Sequence, residues 1–346
     1  MNQFFEIKTK GKILYLFKDE IWKYNKGIVY KSTDGGKEWY PVINLYFGFL
    51  THLLNMNNLI SRLFRKGVHH ISFMDNEIYC IFYDKNVAFF KNKKMIAISP
   101  IHGSRPLAIE KFNNSIIYGE YCSNPSRKKV AVWQTDCKGN RAILIFDNIR
   151  HIHGVYKDTY DDSFWITTGD EDHESAIFKV ASEFKFVENF LDGSQQTRTI
   201  RLLFDGEYIY FGSDTPKEKN HIYRLNKKTK ELECLCQTGS SVFHGCKVNN
   251  WLFFSTAVEP SSINETKYSE IWASCDGKDW RCIIKFQKDF WDKKLFQYGQ
   301  IYFPVGENKS NFLWFSPFAT KETNRSFCVS IAKVKELYNN MEPLLC

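Results

Sequence analysis

The residues of this chain best suited to chemistry are histidines and carboxylates that border short apolar segments. His151 and His153 stand two positions apart, and on a strand that spacing turns both side chains to the same face, as metal ligands or an acid/base pair require. Glu120 and Asp170 each follow an apolar run closely, and a pair of carboxylates is the usual machinery for breaking a glycosidic bond. The sequence therefore predicts a polar site with acid/base chemistry or with a metal.

The candidate residues fall into two positional classes. The first class begins the innermost strand of a repeated unit and consists of His70, Arg105, His151, His153, Arg198, Arg201, His244 and Tyr298. The second class follows the next strand and consists of Glu120, Asp170, Asp214 and Glu259. If the units form a ring, both positions open on the same face, so we expect the two classes to meet in one axial funnel.

The arginines indicate the kind of ligand. A guanidinium group stays charged and matches a planar oxyanion with two hydrogen bonds, so Arg105, Arg198 and Arg201 are predicted to bind the carboxylate of an acidic sugar. His70, His244 and Asp214 are further substrate-binding candidates, and Tyr298 is a catalytic candidate. No local spacing specifies a cofactor; a divalent metal, if bound, is expected at His151 and His153.

The elements that must position these residues form a repeat of about 45 residues. Each unit pairs a short apolar strand with a second strand rich in Ile, Tyr, Phe and Trp, such as residues 116–118, 164–167 and 208–211. Seven such units are counted, with six as the alternative because the first and last are the least regular. The prediction is an all-β propeller forming a single domain over residues 1–346, with an N-terminal strand at residues 4–7 completing the last unit.

One segment departs from the strand pattern. Between residues 46 and 65, apolar side chains recur at helical spacing, at Leu50, Leu53, Leu54, Ile60, Leu63 and Phe64. This spacing predicts an inserted amphipathic helix, which would cover the surface of a blade or, as the alternative, bind a partner.

Composition narrows the class of function. The chain has 346 residues, 43% of them hydrophobic, and a formal net charge of +8. Its basic clusters fall where hairpins should turn, as at residues 226–230, so the excess charge predicts solvated turns and not a nucleic-acid interface. The first residues contain no long apolar run, so the sequence predicts neither a signal peptide nor a membrane span, and a cytoplasmic location.

A short motif appears twice. Residues 32–39 (STDGGKEW) and 274–280 (SCDGKDW) match the Asp box, in which an Asp accepts hydrogen bonds from the turn and a Trp packs between sheets. With these motifs, a further group of segments resembles the BNR/Asp-box proteins of the sialidase-like propeller superfamily, namely residues 119–121, 150–155, 167–170, 211–215 and 254–260. Asp-box hairpins lie on the face opposite the expected funnel.

The resemblance implies carbohydrate chemistry, because many members of that superfamily are glycosidases and others are lyases or glycan-binding proteins. It would make Arg105, Arg198 and Arg201 an arginine triad and Tyr298 a nucleophile. The leading hypothesis is a glycoside hydrolase acting on an acidic oligosaccharide or polysaccharide through Glu120 and Asp170, with Glu259 in reserve. The alternatives are a polysaccharide lyase that uses His or Tyr, with or without a metal, and a glycan-binding propeller without catalysis.

Overall fold

The computed structural model describes residues 5–45, 57–75, 77–259 and 261–342. Its first strands are β1 (Ile7–Lys10), β2 (Lys12–Phe17), β3 (Glu20–Asn25), β4 (Ile28–Ser32), β5 (Tyr40–Asn44), β6 (Val68–Phe73), β7 (Ile78–Tyr83), β8 (Asn86–Lys91) and β9 (Lys94–Pro100). The middle strands are β10 (Ile109–Phe112), β11 (Ser115–Gly119), β12 (Val130–Asp136), β13 (Gly139–Phe146), β14 (Ile152–Asp158), β15 (Ser163–Thr168), β16 (Ala176–Val180), β17 (Val187–Asp192), β18 (Leu202–Phe204), β19 (Tyr208–Gly212), β20 (His221–Asn226) and β21 (Leu232–Gln237). The last strands are β22 (Val242–Val248), β23 (Trp251–Thr256), β24 (Tyr268–Ser274), β25 (Arg281–Gln287), β26 (Gln300–Tyr302), β27 (Val305–Gly306), β28 (Phe312–Phe318) and β29 (Arg325–Ser330).

Two compact units divide the chain: Met1–Val68 together with Leu235–Cys346, here unit 1, and His69–Cys234, here unit 2. Four sheets fall largely within unit 2, with the strand orders β6-β7-β8-β9, β10-β11-β12-β13, β14-β15-β16-β17 and β18-β19-β20-β21. Each is a meander in which a strand pairs with the next one along the chain, so short turns suffice to connect them.

Unit 1 contains three sheets. The sheet β22-β23-β24-β25 repeats the meander, and a five-stranded sheet has the order β27-β2-β3-β4-β5. The third sheet has the order β1-β29-β28-β26, with β1 antiparallel to β29. The N-terminal strand thus spans Ile7–Lys10 and not the predicted residues 4–7, of which residue 4 lies outside the described part. Phe5 lies outside the ladder, and its ring packs on Phe327 with centroids 4.4 Å apart.

Seven sheets of this kind, built by the described residues and antiparallel except where β27 pairs with β2, confirm the predicted all-β propeller with seven blades. The described helices are α1 (Asn58–Leu63), α2 (Lys293–Phe296) and α3 (Ile331–Asn339). Helix α1 lies inside the predicted insertion, and the Asn57 side chain caps it by accepting from the backbone N–H groups of Leu59 and Ile60. The rest of that insertion up to residue 56 falls outside the described residues.

The core of unit 2 lies between neighbouring sheets. Trp165, Phe190 and Phe211 belong to one buried cluster that joins the sheets of β14–β17 and β18–β21. Strand β15 is buried along its whole length, since both of its faces are covered. Burying a large apolar side chain stabilises the fold by about 1.5–3 kcal/mol, and these clusters therefore hold the ends of β14 and β15 in fixed positions.

The two motif hairpins in unit 1 form matching sets of hydrogen bonds. Asp34 accepts from the backbone N–H groups of Lys37 and Glu38, each at 3.0 Å, and from the Ser32 hydroxyl at 2.7 Å. In the second hairpin Asp276 accepts from the N–H groups of Lys278 and Asp279 and from the Ser274 hydroxyl. These carboxylates are therefore occupied by their own turns, in agreement with a structural role for the motif.

Lys23 is a buried cation beside the first hairpin. Its Nζ donates to the Thr9 hydroxyl at 2.6 Å and lies 3.8 Å from the centre of the Trp39 ring. Burial lowers the pKa of Lys23 from 10.5 to about 8. Below pH 8 the lysine is charged in both the folded and the unfolded chain, and the desolvation of the charge in the folded chain lowers the free energy of unfolding. Between pH 8 and 10.5 the unfolded chain binds more protons, so this group makes the free energy of unfolding rise with pH.

We expect Lys23→Met to raise the free energy of unfolding at pH 7 by about 1–2 kcal/mol, because desolvation outweighs the lost contacts with Thr9 and Trp39. The gain should shrink above pH 8 and vanish above pH 10.5. Urea denaturation from pH 7 to 11 measures it, with Lys10→Met, at an exposed position of β1, as the control. A pH-independent gain would mean that the lysine is not destabilised by its burial.

Candidate functional site

Strand β14 begins with a β-bulge that positions the two histidines. Ile152 pairs with Thr168 and Gly154 with Thr167, so His153 is an extra residue with no partner across the ladder. A bulge of this kind turns a side chain away from the direction that simple alternation gives. His151 precedes the strand, and the two Nε2 atoms lie 3.1 Å apart.

Asp170 follows the end of β15 after a glycine that the backbone requires. Gly169 has φ of +90°, and a Cβ added there would lie 2.2 Å from the Glu174 carbonyl oxygen. Only glycine accepts this conformation and approach without strain. The turn brings the Asp170 carboxylate back over the start of β14.

The resulting cluster contains three ligand atoms that converge. Asp170 Oδ1 lies 3.3 Å from His151 Nε2 and 3.4 Å from His153 Nε2. The histidines are 4% and 2% exposed, and the Asp170 side chain is 15% exposed. This grouping, called the His–Asp cluster below, lies wholly within unit 2.

Backbone carbonyls fix the tautomer of both histidines. His151 Nδ1 donates to the Cys122 carbonyl at 2.9 Å, and His153 Nδ1 donates to the Thr199 carbonyl at 3.1 Å. A carbonyl oxygen can only accept, so Nδ1 carries a proton in both rings; a neutral ring then has its lone pair on Nε2, whereas a protonated ring donates from Nε2 to Asp170. In either form, both Nε2 atoms point into the cluster.

The titration behaviour of the cluster follows from burial and charge. Burial by itself raises the pKa of Asp170, but hydrogen bonds with His151 and His153 and the charge of Arg198 hold this pKa well below its ordinary value. Burial lowers the pKa of His153, opposed by its hydrogen bond with Asp170 and assisted by the charges of His151 and Arg198. Asp170 is consequently a poor proton donor at neutral pH.

Two arginines complete the surroundings. Arg150 Nη1 lies 3.1 Å from Asp170 Oδ2, and Arg198 Nη2 lies 3.2 Å from Asp170 Oδ1 and 3.3 Å from Asp214 Oδ2. Arg198 is 13% exposed, whereas Arg150 is 35% exposed. Asp214 is 3% exposed, and its Oδ1 has no hydrogen-bond partner among the residues that the structure describes.

A buried glutamate anchors the chain just before the histidines. Glu174 accepts from the Arg150 backbone N–H and forms an ion pair with Arg127 at 2.9 Å. Its side chain is fully buried; burial raises the pKa of Glu174, but the hydrogen bonds from Arg127 and Arg150 outweigh this and hold the pKa below its ordinary value. Glu174 thus connects the loop after β15 to the start of β14.

Of the predicted site residues, the structure brings His151, His153, Asp170, Arg198 and Asp214 together. Three other candidates in unit 2 have different partners. Glu120 Oε2 accepts from Trp133 Nε1 at 2.9 Å, and Glu120 forms no ion pair within the described part of the chain. His70 Nε2 contacts the Pro106 carbonyl at 2.8 Å, and the Arg201 guanidinium lies 5.4 Å from the centre of the Tyr156 ring.

The remaining candidates are not part of the His–Asp cluster. In unit 1, His244 Nε2 contacts Gln300 Oε1 at 2.9 Å, the Glu259 carboxylate accepts from the Ser241 hydroxyl at 2.9 Å, and Tyr298 is half-buried. Arg105 is half-buried in the segment before β10 of unit 2. The catalytic and binding roles predicted for all these residues stay predictions.

Sequence reasoning missed Arg150 and Glu174 as parts of the site. Arg150 is adjacent to His151, and alternation along a strand would place it on the opposite face. Alternation does not apply to Arg150, because β14 begins only at Ile152. Glu174 lies in a short 3₁₀ helix, Asp172–Glu174, and the pattern of apolar residues gives no indication of its contact with Arg150.

The protein is therefore a seven-bladed β-propeller that contains a buried His–Asp cluster at the start of β14. No family model matches the sequence, and no curated protein matches it. Solved structures similar to it include a chain of the mitotic checkpoint complex, with a TM-score of 0.58 and 10% identity over 94% of this chain and 95% of that chain. The WD40 β-propeller domain of Doa1 gives a TM-score of 0.57 and 10% identity over 94% of this chain and 96% of that domain.

A prolyl endopeptidase gives a TM-score of 0.60 and 7% identity over 96% of this chain and 49% of the enzyme. At these identities the similarity shows the propeller fold alone. This similarity of fold does not test the resemblance to the sialidase-like superfamily, which stays a prediction from the sequence motifs. Within the described residues, no helix has the length and apolar character needed to cross a membrane.

Proposed function

We propose that this propeller acts on an acidic glycan at the His–Asp cluster and cleaves the linkage next to a uronate by elimination. The observation that carries the proposal is the convergence of Arg150, Arg198, His151 and His153 on the single carboxylate of Asp170. The resemblance of the sequence to Asp-box propellers, many of which act on glycans, supports the choice of substrate class.

The geometry favours elimination over glycoside hydrolysis. A hydrolase needs a carboxylic acid that keeps its proton at neutral pH, usually through a raised pKa. The pKa of Asp170 is shifted in the opposite direction, and Glu120 is engaged by the indole N–H of Trp133. Neither carboxylate is suited to protonate a leaving oxygen.

Elimination requires a positive group on the uronate carboxylate and a base near C5. Arg150 is the more exposed of the two arginines, so we assign it to the carboxylate. The base removes the C5 proton, the electron pair forms a C4–C5 double bond, and the oxygen on C4 leaves with its bonding electrons and takes up a proton. Tyr121, whose ring centroid lies 4.3 Å from that of His151, is our candidate for the group that takes the C5 proton and gives a proton to the leaving oxygen.

The test is a panel of uronate-containing and sialic-acid-containing oligosaccharides, with neutral oligosaccharides as controls, followed by mass spectrometry and ultraviolet absorption. We expect products that absorb in the ultraviolet and that together carry no added water. Arg150→Lys should lower kcat/KM by about 100-fold, because one point charge replaces a two-point contact. The exposed Arg141→Lys on β13 serves as the matched control.

Three outcomes would contradict the proposal. Products that gain the mass of one water would establish hydrolysis. An acidic glycan bound and recovered intact would establish a glycan-binding protein. Equal rates for the Arg150→Lys variant and the wild type would place the site elsewhere.

A further inference from the structure

We infer that the His–Asp cluster is a binding site for one divalent first-row transition metal ion, with His151 Nε2, His153 Nε2 and Asp170 Oδ1 as ligands. Among the described residues, one group of at least three His, Cys, Asp or Glu side chains has potential ligand atoms that all lie within 4.8 Å of one another. It consists of these three residues. The inference deepens the proposed function and rests on it in one respect, the acidic substrate that the ion would attract.

The first argument is the orientation of the lone pairs. Both Nδ1 atoms contact backbone carbonyls, which can only accept, so each ring, when neutral, directs an acceptor at the other ring and at a carboxylate oxygen. Three acceptors at 3.1–3.4 Å repel one another unless a cation or a shared proton lies between them. Metal-bound histidines commonly donate their other ring nitrogen to a carbonyl in this way, because the contact fixes the ring and increases its basicity.

The second argument is distance. Zinc–nitrogen and zinc–oxygen bonds of about 2.0–2.1 Å around a tetrahedral centre separate the ligand atoms by about 3.3 Å. The separations of 3.1, 3.3 and 3.4 Å fit that spacing without movement of the backbone. Two imidazoles and one carboxylate favour zinc, iron, cobalt, nickel or manganese, and they are a poor set for calcium, which prefers six to eight oxygens.

The third argument is the surrounding charge. Asp170 and Asp214 are paired with Arg150 and Arg198, so an ion that enters adds positive charge to a balanced set of carboxylates and guanidinium groups. Asp170 Oδ1 carries two lone pairs and can accept from Arg198 while it ligates an ion. The buried Asp214 Oδ1, which lacks a hydrogen-bond partner among the described residues, can accept from a water on that ion. That added charge would attract the carboxylate of the substrate.

The experiment measures ion binding without substrate. Protein treated with EDTA and dialysed is titrated with Zn²⁺, Mn²⁺ and Ca²⁺ by calorimetry, and the retained metal is counted by mass spectrometry. We expect one Zn²⁺ or Mn²⁺ per chain, no binding of Ca²⁺, and a rise in the melting temperature with bound ion. His153→Ala and Asp170→Asn should each weaken binding by at least about 10-fold.

The matched control is His221→Gln, which removes a half-buried histidine of unit 2 outside the cluster and should bind the ion as the wild type does. Asp214→Asn keeps all three ligands and is expected to weaken binding less than Asp170→Asn, which separates loss of a ligand from loss of folding. A chain that binds no transition metal, or one whose binding survives both ligand substitutions, would overturn the inference. A chain that carries out elimination but binds no ion would leave the proposed function standing and overturn the metal site, whereas ion binding without any turnover would do the reverse.

Discussion

Asp170→Asn is expected to lower kcat/KM for an acidic oligosaccharide by about 100-fold or more. The carboxylate is the shared partner of Arg150, Arg198 and both histidines. Asparagine has the same shape but no charge, so the two guanidinium groups would lose their common counter-charge and the positions that it imposes on them. The measurement is steady-state kinetics on the substrate identified in the panel, with binding measured separately.

The control for this substitution is Asp147→Asn, which removes an exposed carboxylate of unit 2 whose nearest cation, Lys129, is 3.7 Å away. It should leave both kinetics and stability unchanged. We expect Asp170→Asn to reduce the free energy of unfolding by only about 1–3 kcal/mol, since the carboxylate is partly exposed. Unchanged kcat/KM in a folded Asp170→Asn variant would show that the His–Asp cluster is not the site of reaction.

The second large effect concerns stability. Lys227 Nζ forms an ion pair with Asp158 Oδ2, and the two side chains are 6% and 0% exposed. Removing one partner of a buried pair leaves an uncompensated charge in the interior and costs about 3–5 kcal/mol. We therefore expect that loss in the free energy of unfolding for Asp158→Asn, measured by urea denaturation.

A double substitution separates the charge from the packing. Lys227 Nζ lies 5.2 Å from the centre of the Tyr160 ring and 5.6 Å from that of Phe204. Lys227→Met places an uncharged, unbranched side chain beside these rings, so Asp158→Asn combined with Lys227→Met should be more stable than Asp158→Asn alone. The coupling in this cycle should exceed about 1 kcal/mol. Additive losses would mean that the two groups act independently. Because both residues lie in unit 2, the same cycle reports on the unit that carries the candidate site.

Much of the fold can be predicted because the second strand of each sheet is buried on both faces. The apolar runs at residues 116–118 and 208–211 correspond to β11 (Ser115–Gly119) and β19 (Tyr208–Gly212). A strand that is buried on both faces must be apolar along its length, so it can be recognised in the sequence. Strand β1 is harder to predict, because a strand at the edge of a sheet is only partly buried and Phe5 competes for the core.

The site is less predictable because it depends on local departures from regular structure. Counting positions along the repeat suffices to bring His151, His153 and Asp170 together. It does not separate Arg198, which reaches Asp170, from Arg201, which lies over Tyr156. Which arginine enters the cluster is decided by the 3₁₀ turn at Gln195–Thr197, one residue before Arg198, and alternation along a strand carries no information about that turn.

The bulge at His153 makes the site depend on the number of residues in β14 as well as on their identity. Deleting one residue at this point would restore a continuous ladder between β14 and β15 and preserve the apolar core. The two histidine side chains would then no longer converge. Such a chain would fold as a propeller and lack the cluster. A relative of this protein should therefore be compared first by the number of residues at the start of the strand that corresponds to β14. The presence of two histidines should be compared only after that.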